Sequence, residues 1–507
     1  MLSKSRTFYA KRNIWTGMIN RIIILGFPFI IRTIVIRVLG AEYLGLSSLF
    51  SSILQVLNMA ELGFSSVVVF SLYKPIAEGD TKEICALMSF YRNVYKVIGF
   101  VILVIGSALL PFLPHLIHGT YSLDINIYLL YLIYLLNTAI SYLAFAYKNV
   151  LFSASQRQNV LNNINSIVSI VKFCIQIAIL LLLKNYYFYI IWNIIFTCIE
   201  NIIVAIITKR DYPEYICSGS ISKNKKNEIS KQIKGLAIGQ LTKVSRNSFD
   251  SIVLSMFCGL VDVAIYSNYY YVFNAVMGII SIMIQSINAG IGNSITSESV
   301  EKNYRDFRKF YFYFSCIGSI CTVCFFCLYQ PFMKLWVGES YMASYSTMML
   351  FCVYFYVIQM GLIRSAYSNA TGIWWECRWI QIIEMISNLV LNFILGYLFG
   401  MNGILLATII TVFIFSIIGL TKVLFRIYFK KQIGPFLKDS SLYLIITIAT
   451  LGICYLLSQS VKSDSFLGLS LKAIIALSIS IILWLISGCL LPRTKKYIVE
   501  LYYRIRS

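Results

Sequence analysis

Apolar residues in this chain come in long runs rather than in one-sided stripes. Stretches of about 18 or more residues, nearly free of charge, fall near 14–38, 44–72, 94–114, 122–147, 159–183, 186–208, 236–257, 263–293, 309–331, 343–363, 375–398, 402–428, 440–459 and 468–491. A helix rises about 1.5 Å per residue, so each run is long enough to cross a hydrocarbon core. The pattern predicts an all-α, polytopic membrane protein of about fourteen transmembrane helices. Lys184 and Asn185 alone separate the fifth and sixth runs. Several runs exceed the needed length, so tilt or extension beyond the bilayer is expected. The first run is read as a retained membrane helix, because it is longer than a signal h-region and lacks a small-residue exit.

The longest polar stretch runs from Lys209 to Gly235, with six apolar runs before it and eight after. The expected organisation is an N-terminal lobe at 1–208, a cytoplasmic linker at 209–235, a C-terminal lobe at 236–431, and two further spans with a cytoplasmic tail at 432–507. The result is two six-helix lobes plus two C-terminal helices. Sliding the first part along the second until Gly40 meets Gly259 also sets Ser48 on Ser267 and Gly99 on Gly318, without a gap. Parallel repeats of this kind recur in transporters.

Charge fixes the orientation. The net charge is +22, although only 13% of residues are charged and 59% are hydrophobic. With the N-terminus inside, 33 of the 43 Lys and Arg residues face the cytoplasm and five face outward. That split follows the positive-inside bias and places both termini in the cytoplasm. Nucleic-acid binding is excluded on the same ground, because the basic residues sit at span ends rather than in one patch. The thirteen cysteines, including Cys321, Cys324 and Cys327, lie mostly inside apolar runs and read as small helix residues, not metal ligands. His115 and His118 fall at an outer helix end and read as interfacial. Tyr266, Tyr269, Tyr270, Tyr271 and Phe273 read as an interface belt. There is no nucleotide-binding, zinc-protease or serine-hydrolase motif, and no long outer loop, so catalysis within the chain is not expected.

The remaining charges lie inside spans, where an ionised group costs roughly 2.5–3.5 kcal/mol. Such groups should face the bundle interior. Span one carries Arg21 and Arg32, which fall within about 20° of each other on a helix, with Pro28 near the same face. Span seven carries Lys243, Arg246 and Asp250 at spacings of three and four, with Gln240 extending the stripe. Two helices related by the repeat thus each present basic residues at membrane depth. Guanidinium groups there suit an anionic headgroup, since they grip phosphate with two parallel hydrogen bonds. Internal pairing is the alternative: Arg246 with Asp250, or Arg21 with Glu61. Glu61, Asp250 and Glu384 are candidates for ion coupling or charge pairing, with Glu200 near an inner helix end. Lys172 reads as a lone interior cation.

The segment from Val38 to Asp80 resembles the start of the Wzx-type polysaccharide transporters, or oligosaccharide flippases, of the MATE/MurJ-like superfamily. The resemblance rests on Leu39, Gly40 and Gly45 after span one and on Glu61–Phe64 in span two. It implies a two-lobed bundle with a cationic central cavity in the bacterial cytoplasmic membrane. It implies a lipid-linked substrate, undecaprenyl-diphosphate oligosaccharide repeat units for capsule- or O-antigen-type export, moved by alternating access. Arg21, Arg32 and Arg246 would then meet the pyrophosphate. A polysaccharide polymerase and glycosyltransferases would be partners beside membrane lipids, and the last two spans would form a lipid groove. No cofactor is implied, and the coupling ion, H+ or Na+, stays open because span one lacks the acid many MATE antiporters use. Lipid II transport is the alternative substrate. A membrane polymerase or ligase is the alternative activity.

Overall fold

The computed structural model describes residues 6–61, 63–119, 125–459, 461, 463–490 and 494–500. Of the cations assigned to a side of the membrane, Lys4, Lys462, Arg493, Arg504 and Arg506 lie outside the described residues. The described residues form helices and connections, with no strand among them. Each of the fourteen apolar runs is helical over most of its described length. Helices α1 (Arg6–Val38), α2 (Ala41–Leu57), α3 (Phe64–Glu78), α4 (Thr81–Ala108), α5 (Ile127–Leu143), α6 (Asn149–Ala154), α7 (Gln158–Leu182) and α8 (Tyr186–Asp211) come first. They are followed by α9 (Lys223–Phe257), α10 (Leu260–Ser297), α11 (Val300–Val337), α12 (Tyr345–Met360), α13 (Leu362–Thr371), α14 (Trp374–Thr411), α15 (Leu420–Leu424), α16 (Gly434–Ser458) and α17 (Phe466–Leu490).

Among the described residues, ten helical stretches are long and apolar enough to cross a membrane, or eleven if a bent pair counts as one. The difference from fourteen has four physical sources. The second span is broken: α2 ends in a 3-10 turn at Asn58–Glu61, and Gly63 at φ 80° restarts the chain as α3. The fourth bends by 44° between α5 and the segment Ala146–Ala154, around Phe145 at φ 59°. The seventh, α9, opens on five residues that include three lysines and carries Lys243, Arg246 and Asp250 further on. The eleventh and twelfth run together as Trp374–Phe429, interrupted at Gly400 by a φ of 56° and ψ of −134°. Only glycine adopts that conformation cheaply.

Bulky apolar side chains lie exposed along the helices, including Ile22 and Ile30 on α1, Ile445 and Ile448 on α16, and Leu467 and Leu490 on α17. An aqueous surface would not tolerate so many, and lipid does. The chain is a multi-pass membrane protein.

Contacts divide the chain into two compact units, Met1–Ala264 and Ile265–Ser507. Of the stretch 209–235, only 212–222 lies outside a helix, and α9 packs on α2 and α3 within the first unit. Joints recur along the chain. Gly40 (φ 101°) is matched by Gly259 (φ 92°), and Gly119 (φ 82°) is matched at the same offset by Gly338 (φ 89°). Asp80 and Ser299, again at that offset, each cap a helix through the backbone N–H three residues on. The helices from α1 to α8 recur in order from α9 to the end of Trp374–Phe429 with nearly the same spacing.

Helices α1 and α7 run parallel with a constant register. Asn13 Oδ1 accepts from the Asn159 N–H at 2.8 Å, Asn162 Nδ2 donates to Thr16 Oγ1 at 3.3 Å, and Ser166 Oγ donates to Asn20 Oδ1 at 3.1 Å. Phe27 stacks on Phe173 at 5.3 Å. Every pair keeps the same separation in sequence, and the steps of three, four and seven along each helix follow a heptad. Polar side chains make good interhelical contacts where water is absent.

Candidate functional site

The basic residues of α1 differ in surroundings. Arg21 is exposed, whereas Arg32 is half-buried. Arg32 lies within electrostatic reach of Tyr186 and Tyr189 on α8. Tyr186 shares a hydroxyl contact of 3.0 Å with Tyr134, which donates to Ser47 Oγ at 2.8 Å. Tyr43 packs on Tyr186 with ring centroids 4.8 Å apart. A guanidinium set among phenols is both cation–π competent and rich in hydroxyls, a surface that accepts phosphate and sugar alike.

On α9 the stripe is continuous helix, so Lys243, Arg246 and Asp250 share a face. Burial deepens along it: Lys243 is exposed, Arg246 half-buried and Asp250 buried. The same part of α9 is anchored: Ser248 Oγ donates to Gln55 Oε1 at 3.1 Å, and the Ser255 carbonyl accepts from the His118 N–H at 2.9 Å.

Glu61 does not depend on Arg21. Its carboxylate accepts hydrogen bonds from Tyr95 Oη and, at 2.8 Å, from Tyr142 Oη. The rings of Tyr91 and Tyr95 lie 4.4 Å apart, and those of Tyr95 and Tyr142 5.4 Å apart. Gly99 lets this cluster form, since an added Cβ would sit 2.9 Å from the Leu143 side chain and 3.3 Å from Tyr142. An acid thus sits at the break of span two, held by two neutral donors. Tyr95→Phe/Tyr142→Phe is expected to lower stability by roughly 3 kcal/mol, because two hydrogen bonds to one carboxyl group are lost at about 1.5 kcal/mol each. Adding Glu61→Gln should recover part of that loss. A melting temperature in detergent equal to the parent's would refute this anchoring.

Lys172 is not alone. Its ammonium lies 4.9 Å from the Phe173 ring and within electrostatic reach of Glu200, which accepts from Asn165 Nδ2 at 3.0 Å. In the second unit, Glu384 is buried one turn before Asn388, whose amide donates to Thr408 and Thr411, both at 3.2 Å. Of the aromatic residues opening α10, Tyr266, Tyr269 and Phe273 are buried core rather than belt, while Tyr270 and Tyr271 are half-buried. Tyr269 Oη donates to Gln330 Oε1 at 2.6 Å, and Gln330 donates to the Ala343 carbonyl at 2.8 Å.

Arg364 is one of the 33 cations that the charge pattern assigns to the cytoplasmic side. It is buried on α13, with Nη2 3.4 Å from Ser416 Oγ inside a π-helical stretch, Val412–Gly419. π-Helical turns frequently mark functional positions.

Also in the second unit, α10, α11 and α17 line an open apolar cavity of about 400 Å³ bordered by Val276, Cys321, Cys324, Phe325, Ala473 and Leu477 among others. The cysteines are free thiols serving as small apolar wall. Among the described residues no group of three His, Cys, Asp or Glu side chains could hold a metal ion.

No protein-family profile matches the chain, and no curated protein matches it. Solved structures do. The lipid II flippase MurJ, in an inward closed conformation, matches with a TM-score of 0.67 at 14% identity, covering 96% of this chain and 98% of that one. An inward-facing multidrug resistance MATE family transporter of the MOP superfamily matches with a TM-score of 0.62 at 14% identity, covering 82% and 98%. A mutant of the Vibrio cholerae MATE transporter VcmN matches with a TM-score of 0.54 at 13% identity, covering 84% and 99%. The chain has the fold of these membrane transporters and flippases.

Proposed function

We propose that the protein is a flippase for undecaprenyl-diphosphate-linked oligosaccharide repeat units, moving them across the bacterial cytoplasmic membrane by alternating access, with both termini cytoplasmic. The observation that carries this reading is the apolar cavity against α17, sized for part of a hydrocarbon chain. A transporter of small water-soluble cations has no use for such a wall. The MurJ likeness spans 96% of the chain, against 82% and 84% for the two MATE structures, which supports the flippase reading over drug export.

In this mechanism Arg32 and Arg246, with Arg21 and Lys243 at the more exposed ends of their helices, neutralise the diphosphate as it leaves water. The phenols around Arg32 suit the sugars, and the apolar wall of the α17 cavity suits a prenyl tail. Glu61, Asp250 and Glu384 are the acids available to exchange H+ or to bind Na+. The chain moves its substrate without chemical change, and a polymerase and glycosyltransferases act before and after it.

Arg32→Ala and Arg246→Ala are each expected to cut surface glycan at least about tenfold, the worth of one charge-assisted phosphate contact. Lipid-linked precursor should accumulate while the variants remain in the membrane. Undiminished surface glycan in both would sink the proposal. Lipid II is the second reading, favoured by the coverage of the MurJ match. Depletion that stops cell-wall synthesis while sparing surface glycan would establish it instead.

A further inference from the structure

A second cavity, of about 410 Å³, lies in the first unit where α1, α7 and α8 meet. Its rim carries Arg12, Arg157, Arg210 and Asp211; its floor includes Ile164, Ile167, Ile203 and Ile207. Asp211 accepts from Arg157 at 2.7 Å and from Arg210 at 2.9 Å. Arg12 Nε lies 3.2 Å from the Asn159 amide oxygen when that amide is turned toward it. The guanidinium of Arg157 also lies 5.8 Å from the Phe152 ring and 5.7 Å from Tyr212, which fixes it in place. Burial opposes its charge, but Asp211 and Tyr212 together more than offset this and hold Arg157 above its ordinary value.

One carboxylate cannot neutralise three guanidinium groups, so the rim keeps a surplus of positive charge. The floor continues onto exposed apolar surface, with Ile167 65% and Ile206 63% exposed. A cationic rim over an apolar groove that opens sideways to lipid matches one class of molecule: a phosphate headgroup with an acyl chain attached. We propose that this groove holds an anionic phospholipid of the leaflet that surrounds the N-terminal part of α1. The occupant is a resident lipid, distinct from the transported one. The groove is built on α7 and α8 rather than on the α9 stripe, and it shares no lining residue with the α17 cavity.

The test is native mass spectrometry of the full-length protein titrated with phosphatidylglycerol and, separately, with phosphatidylcholine. The wild type should retain phosphatidylglycerol preferentially. Arg12→Gln/Arg210→Gln leaves the Arg157–Asp211 pair in place and should reduce that preference by on the order of tenfold, with helicity and melting temperature unchanged. Lys74→Gln/Lys82→Gln removes the same charge elsewhere and should leave the preference intact. Equal retention of the two lipids by the wild type, an unaltered preference in the arginine variant, or an equal loss in the lysine control would each overturn the proposal. No transported substrate is present in the measurement, so its failure leaves the flippase reading untouched.

Discussion

Gly45→Val yields almost no folded protein, and Gly45→Ala melts well below the parent: this is the expected result where α2 meets the joint between α9 and α10 backbone to backbone. An added Cβ at Gly45 would overlap the Leu260 carbonyl oxygen and lie 2.8 Å from its carbonyl carbon. The obstacle is backbone, so no rotamer change relieves it. The joint must then move away from α2, and the Gln55–Ser248 hydrogen bond between α2 and α9 is pulled apart with it. Overpacking a tight core costs about 1–3 kcal/mol. A cost near the top of that range shifts the folded-to-unfolded ratio on the order of 100-fold. Thermal melting and monodisperse yield after detergent extraction measure it. An alanine variant that melts with the parent would show that α2 is not held this closely to the joint.

The second large effect concerns the attachment of α16 to α11. Arg308 donates through Nε to Asp439 Oδ2 at 2.9 Å and through Nη2 to the same oxygen; the two side chains are 15% and 18% exposed. Lys309 pairs with Glu500 beside it, and Tyr313 Oη donates to the Tyr497 carbonyl at 2.8 Å. Removing one member of a largely buried pair strands the other, at about 3 kcal/mol. Arg308→Ala and Asp439→Ala should therefore each destabilise strongly, while the double variant destabilises by much less than their sum. A double-mutant cycle on melting in detergent reads this coupling. Additive losses would mean that the two groups act independently.

Helix existence was legible in the sequence because run length is a strong signal when the solvent is hydrocarbon. Interruptions were harder to read. The run at 44–72 reads as one apolar span, yet the turn at Asn58–Glu61 and the left-handed Gly63 divide it. Hydropathy is blind to φ, and the E-L-G-F stretch was noticed for its resemblance rather than for its break. The repeat was visible in three matched residues; its better evidence is conformational, in paired glycines at positive φ. Charge inside spans pointed to Arg32, Arg246 and Asp250 but not to their neighbours. That Glu61 would meet Tyr95 and Tyr142 depends on the approach of α4 and α5 at Gly99, which composition cannot reveal. Tyr266 and Tyr269 misled for the opposite reason: tyrosine at a span end suits an interface, but Gln330 and Ala343 satisfy the Tyr269 hydroxyl indoors.

The register between α1 and α7 has a mechanical consequence. Its polar rungs stop at Asn20, and the last shared rung is Phe27 against Phe173. Pro28 follows at once, and a proline inside a helix lacks the N–H that would tie it to the preceding turn. The N-terminal half of α1 is thus bolted to its neighbour by polar rungs, while the half beyond Pro28, bearing Arg32, is held by the buried apolar side chains Ile31, Val35 and Ile36. Apolar packing can slide where hydrogen-bonded rungs cannot, so the helix carries a fixed grip at one end and a yielding one around Arg32.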